Sequence, residues 1–273
     1  MKIGSLCTGY GGLDMAVEAY FNADMVWCAE NDKYASKLIE QRFNKQNYGD
    51  IKQIDWDTVE AIDILTAGYP CQPFSHAGQR KGKDDERHIW PDIIKAIGIL
   101  RPRIVILENV RGHLSLGFKE VLSDLAQIGY DASWQIVRAS DVGAPHPRAR
   151  LFIIAYPISQ GLQGSGWQKT GSGSKTFSDS DDQQLSSNRE MSRLGRRFNT
   201  RSEMHLQDIP HTLVDGKLNA VYVEYMMGLP LGWVTNLDLS RAQQLKMLGN
   251  GVVPQQAYHA LQILCATPSD LRL

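Results

Sequence analysis

Short runs of apolar residues recur along most of this chain, separated by stretches whose apolar residues keep helical spacing. That alternation narrows the fold more than any other feature. Residues 3–7 read as a buried strand, and Leu13, Ala16, Val17 and Tyr20 follow at helical spacing. Residues 25–29 and 62–67 read as two further strands, and residues 91–100 as a helix with Pro91 suited to its first turn. Then come a strand of continuous apolar type at 103–107, a helix at 118–128, and strands at 133–137 and 151–155. Strands alternating with helices favour an α/β fold, a mostly parallel sheet covered on both faces. The character changes after Pro157. Residues 159–208 hold Gly-Ser-Gly-Trp, Gly-Ser-Gly-Ser and Ser-Asp-Ser-Asp-Asp, and apolar periodicity nearly vanishes. This reads as a loop-rich insertion or a small domain of low regularity. Order returns near Leu218, with helices expected at 221–227 and 257–264. The expected organisation is a main domain over 1–156, a small region over 157–217, and a return to the main domain over 218–273.

At 273 residues and 42% hydrophobic, the chain can bury a core of ordinary size. Its formal net charge of −1 does not announce a nucleic-acid partner, but a basic face can be balanced by acid elsewhere. The four cysteines, Cys7, Cys28, Cys71 and Cys265, are scattered and form no C-x-x-C pair. Neither a disulfide framework nor a zinc cage is expected, and a reducing compartment is the natural reading. No segment reads as a signal or as a membrane span. The expectation is a cytoplasmic protein with no metal and no membrane partner.

Candidate functional residues gather at strand ends. After the first strand comes Cys7-Thr8-Gly9-Tyr10-Gly11-Gly12, a glycine-rich turn that lets backbone approach a ligand closely. Alone, such a segment is only a tight turn. Glu30 follows at the end of the second strand, about 20 residues on, where an acid can accept hydrogen bonds from the ribose of a nucleoside cofactor. Asp50-Ile51 offers a polar and an apolar contact that an adenine could share. The third strand runs into Gly68-Tyr69-Pro70-Cys71-Gln72-Pro73-Phe74-Ser75, which places a cysteine between prolines on a stiff loop at the usual ligand edge. The next apolar strand ends in Glu108-Asn109-Val110, a carboxyl group at the same edge. Arg148 and Arg150 stand two apart before a strand and, on extended chain, would point the same way to grip a phosphate or a carbonyl oxygen.

In this order the segments resemble the DNA (cytosine-5)-methyltransferases. The glycine turn, Pro-Cys-Gln, Glu-Asn-Val and Arg148-Ala149-Arg150 each match a motif of that family. Val223-Glu224-Tyr225-Met226-Met227-Gly228-Leu229-Pro230 and Leu248-Gly249-Asn250-Gly251-Val252-Val253-Pro254 resemble its last two, the latter its Gly-Asn-Ser-Val. Two positions depart: His146 stands where the family usually has glutamine, and Gly251 where it often has serine. The resemblance implies the Rossmann-like sheet of S-adenosylmethionine-dependent methyltransferases, with a small irregular target-recognition domain. It implies S-adenosylmethionine held by Cys7, Thr8, Gly9, Gly11, Gly12, Glu30, Asp50, Ile51 and Asn250. Cys71 would be the nucleophile, Glu108 would contact N3 and the exocyclic amine of cytosine, Arg150 would hold its O2, and Arg148 would support the loop of Cys71. Duplex DNA is the implied partner of a monomer in a bacterial or phage-infected cell. Among Arg189, Arg193, Arg196, Arg197 and Arg201, Glu190 is the only acid, so Arg193, Arg196 and Arg197 are the expected DNA contacts. Two alternatives share part of this pattern. A tRNA cytosine-5 methyltransferase of the same family would carry a Cys-Phe-Thr segment, which is absent here. An inactive DNA-binding homologue would not need Cys71, Glu108 and both arginines.

Overall fold

The computed structural model describes residues 1–70, 89–158 and 209–266. Seven strands form one sheet in the order β3 (Gln46–Asn47), β2 (Asp24–Ala29), β1 (Lys2–Leu6), β4 (Ile64–Gly68), β5 (Ile104–Val110), β7 (Arg150–Pro157), β6 (Tyr130–Val137). The strands from β3 to β5 are parallel, and β7 runs antiparallel to both of its neighbours. The chain enters at the middle of the sheet, steps out through β2 to β3, and crosses back over β1 to β4 and β5. A crevice therefore opens at the carboxyl ends of β1 and β4, where the direction of winding reverses.

Both faces of the sheet are covered, which explains the continuous apolar runs. Ile104 and Ile106 of β5 enter one core while Val105 and Leu107 enter the other. The first core takes α1 (Gly12–Phe21), α2 (Lys33–Arg42), the end of α6 (Arg241–Asn250) and α7 (Pro254–Cys265). The second takes α3 (Trp90–Leu100) and α4 (Phe118–Gln127). Every strand and helix expected from the apolar pattern has a counterpart, most with ends shifted by a few residues. Two helices were not expected. α2 is mostly polar and buries only Ala35, Leu38 and Ile39. α6 buries only Met247 and Leu248, yet it opens on a capping box between Ser240 and Gln243 that was there to be read. The hairpin of β8 (Leu213–Val214) and β9 (Lys217–Leu218) was not expected either.

The returning segment is fastened by one buried acid. Glu224, on α5 (Ala220–Met226), is 0% exposed and accepts from the amides of Gly232, Val234 and Thr235 at 2.6, 2.6 and 3.0 Å and from the Thr235 hydroxyl at 2.8 Å. The turn so fixed carries Trp233, over which the Arg42 guanidinium lies while donating to the carbonyls of Gly232 and Trp233. A Glu224→Ala change strands three amides and a hydroxyl. It should cost about 3 kcal/mol or more in urea unfolding, since each unsatisfied buried group costs about 1–3 kcal/mol. A loss below about 1 kcal/mol would show that this turn does not depend on Glu224.

Candidate active site

The glycine turn is built by backbone geometry that few side chains tolerate. Cys7 sits at φ 53° and donates its amide to the carbonyl of Ala29 at 2.9 Å, tying the end of β1 to β2. Gly9 is left-handed and donates its amide to Glu30 Oε2 at 2.8 Å. Glu30 Oε1 accepts from the amide of Asp32 at 2.8 Å. The Glu30 carboxyl is thus held at the mouth of β2 and is 9% exposed. Burial raises its pKa, and the amides of Asp32 and Gly9 oppose the rise. Gly11, at φ 81°, caps α1, and the Phe43 ring fills the space a side chain would need.

A cavity of about 730 Å³ opens beside this turn. Cys7, Thr8, Gly9, Gly12, Glu30, Asp50, Ile51 and Asn250 all line it, so most of the expected cofactor residues are brought together. Gly11 does not line it. Asp50 accepts from the amide of Lys52 at 3.0 Å, opening a tight turn that buries Ile51. The cavity continues past Pro70 to Glu108. Sequence reasoning missed Asp14, which also lines it, buried beneath the turn and accepting from the Thr66 hydroxyl. Burial pushes Asp14 up to about 6, against its hydroxyl donors. Its place at helical spacing on α1 gave no signal of that. The Asp32–Lys246 pair at the same cavity, 3.4 Å apart, was also missed.

Glu108 is the chemical feature of the far wall. It is 6% exposed, and Arg150 Nε lies 2.9 Å from its Oε1. Burial pushes Glu108 up to about 7, while the charges of Arg150 and Arg148 pull it back. Gly68 is its partner across β4, three residues before Cys71. The amide side chain of Asn109 donates to the carbonyl of Tyr69 at 3.2 Å, and the Tyr69 hydroxyl is hydrogen-bonded to His113 Nε2 at 2.9 Å. The peptide leading to Pro70 is therefore braced against β5.

The two arginines do not share one extended run as expected. Arg148 has φ 26°, and β7 begins only at Arg150. Long-range bonds decide this conformation. Arg148 Nη2 donates to the carbonyls of Gly249 and Gly251 at 2.7 Å each, and its own carbonyl accepts from Gln256 at 2.8 Å. Arg150 meets Glu108 instead. His146 is hydrogen-bonded to the carbonyl of Met226 at 3.0 Å, a contact that a glutamine amide could also make. Cys71, Arg193, Arg196 and Arg197 lie outside the described residues. Among the described residues, no group of three or more His, Cys, Asp or Glu could hold a metal, and no helix is long and apolar enough to cross a membrane.

Known proteins resemble this chain in sequence and in fold. The model of the C-5 cytosine-specific DNA methylase family matches residues 1–217. Type II methyltransferase M.BsuFI of Bacillus subtilis is 31% identical over 169 residues, 60% of this chain and 41% of that protein. Type II methyltransferase M.HhaI of Haemophilus parahaemolyticus is 32% identical over 163 residues, 58% of this chain and 50% of that protein. The matches thus span about half the length of these curated relatives. Among solved structures, a DNMT2 mutant of Spodoptera frugiperda superposes with a TM-score of 0.67 at 18% identity, covering 97% of this chain and 99% of that one. The S. pombe Dnmt2 methyltransferase gives 0.64 at 19% identity, covering 100% of both. At such identity the likeness is one of fold.

The Glu108 carboxyl should titrate near pH 7, followed by carbon-13 NMR of glutamate-labelled protein. Arg150→Ala should move the midpoint higher, because the lost cation favours the ionised form. The raised value also means that Glu108 adds stability below its ordinary range and loses that contribution as pH rises through about 7. A midpoint near the ordinary value of about 4.3 would contradict this environment.

Proposed function

The chain belongs to the C-5 cytosine-specific DNA methylase family, and from that premise we propose that it transfers a methyl group from S-adenosylmethionine to carbon 5 of a cytosine flipped out of duplex DNA. One observation carries the reading. A single cavity is lined by Glu30 at the end of β2, by Pro70, which immediately precedes Cys71, and by Glu108. An acid suited to a ribose and an acid suited to a base share one space. Its volume of about 730 Å³ lies within the range of about 300–1,000 Å³ usual for cofactor and ligand sites.

The residues fit S-adenosylmethionine. Glu30 is a buried acceptor at the expected strand end, and Gly9 meets no atom within 4 Å where a side chain would project. Glu30 would bind the ribose, Asp50 and Ile51 the adenine, and the turn from Cys7 to Gly12, with Asn250, the remainder. When bound, this cofactor supplies an electrophilic methyl group on a sulfonium.

The protein's own groups make cytosine able to take it. Carbon 5 is too weak a nucleophile unaided. The Cys71 thiolate adds to carbon 6, forming the S–C6 bond and turning the ring into an enamine. Glu108 donates its proton or a hydrogen bond at N3 and so takes up the charge that this addition pushes into the ring. A carboxyl group pushed up to about 7 retains a proton near neutrality for that purpose. Arg150, already paired with Glu108, offers its remaining N–H groups to O2. Once carbon 5 carries the methyl group, a base removes its proton and the S–C6 bond breaks. Flipping the base out costs a few kcal/mol, which contacts to the pocket and the opened duplex must offset. Residues 157–217 would supply the sequence-reading contacts.

Cys71→Ser should abolish transfer of labelled methyl to duplex DNA while leaving cofactor binding near wild type, because a serine hydroxyl is a poor nucleophile at neutral pH. Duplex carrying 5-fluorocytosine should trap a covalent complex with the wild-type chain and none with the variant. Robust methylation by Cys71→Ser would remove Cys71 from the mechanism. Replacing Arg193, Arg196 and Arg197 together with alanine should weaken duplex binding and flatten its dependence on salt, each lost phosphate contact lowering the slope by about one. An unchanged slope would show that these arginines do not touch the duplex.

A further inference from the structure

Tyr10 stands inside the glycine turn, between Gly9 and Gly11, yet it is 0% exposed. Its hydroxyl donates to the carbonyl of Val252 at 2.7 Å, and its own carbonyl accepts from the Trp233 indole at 3.0 Å. Burial holds the phenol well above its ordinary pKa, so this bond is donated at any working pH. The ring lies where a side chain at position 251 would have to go. A Cβ built on Gly251 would meet Tyr10 Cε1 at 1.8 Å and Cζ at 2.3 Å. The backbone there, at φ −80°, is one that any residue can adopt. The ring alone therefore excludes a side chain. Close by, a Cβ on Gly12 would lie 2.1 Å from the carbonyl oxygen of Val252, so turn and returning segment touch with no space to spare.

The segment that Tyr10 meets has two further duties. Asn250 lines the cavity. The carbonyls of Gly249 and Gly251 take Arg148 Nη2, two residues before the arginine that pairs with Glu108. We propose that Tyr10 is a positioning residue that seats the Asn250 segment against the cofactor turn, and that position 251 is glycine, where the family often has serine, because Tyr10 occupies the side-chain space. The functional half of this rests on the cofactor reading above; the steric half does not.

The test exchanges the pair in the full chain, comparing Gly251→Ser, Tyr10→Leu with Gly251→Ser, and Tyr10→Phe. Calorimetry gives S-adenosylmethionine affinity, and thermal unfolding without ligand gives the midpoint. Gly251→Ser should weaken the cofactor about tenfold or more, and the double variant should recover to the smaller deficit of Tyr10→Phe, which lacks the same hydroxyl, the signature of two residues in direct contact. Tyr10→Phe keeps the ring and folds, its midpoint lowered only by the one lost hydrogen bond; at temperatures where it is fully folded it should still bind the cofactor several-fold more weakly, which a merely structural role would not produce. If Gly251→Ser does not fold, a folded double variant supports the pairing and an unfolded one overturns it. Wild-type affinity in Gly251→Ser, a double variant no better than the single, or wild-type affinity in Tyr10→Phe would each overturn the proposal. If the wild-type chain bound no S-adenosylmethionine, the cofactor reading would fall and the positioning role with it. The midpoints of the single and double variants would then decide the steric pairing by themselves.

Discussion

Glu108 and Arg150 meet because one strand runs against the others. β7 is antiparallel to β5, and its first residue lies at the carboxyl end of β5, with Arg150 opposite Val110 and Phe152 opposite Glu108. Arg150 is then the diagonal neighbour of Glu108 on the same face, within reach of a long side chain. Were β7 parallel, its first residue would lie at the opposite edge of the sheet, away from the crevice. Burial without a cation would push the carboxyl higher still; a cation in open water would leave it in the ordinary range. The pair sets an intermediate condition, a carboxyl group poised near neutrality.

The rest of the crevice follows from the order of the parallel strands. β1, β2, β4 and β5 deliver the glycine turn, Glu30, the Pro70 peptide and Glu108 to one edge. Each is a residue at or just past a strand end, so each was legible in the sequence once the strands were. Apolar runs of four to six residues identify a strand covered on both faces, and the chemistry-bearing residues stand where those runs stop.

What was not legible depends on contacts distant in the chain. Nothing in Arg148-Ala149-Arg150 says that the first arginine leaves the extended conformation, because the carbonyls that hold it belong to residues 249 and 251. The direction of β7 is equally silent, since an apolar run reads the same in either sense. Asp14 looked like one more position on an amphipathic helix, and only the fold puts Thr66 over it. The two departures from the family pattern, His146 and Gly251, were visible as differences but not as consequences. Each meets a particular neighbour, the carbonyl of Met226 in one case and the ring of Tyr10 in the other.

The returning segment binds these parts together. Glu224 fixes the turn that carries Trp233, Trp233 reaches Tyr10, and Tyr10 reaches Val252, so the last third of the chain closes on the first twelve residues. The central claim is that this assembled cavity methylates carbon 5 of cytosine in DNA. The most direct measurement is mass spectrometry of nucleosides after incubation with isotopically labelled S-adenosylmethionine and either duplex DNA or tRNA. The account predicts label in 5-methylcytosine from the duplex. Label on an exocyclic nitrogen, label confined to tRNA, or no label would contradict it.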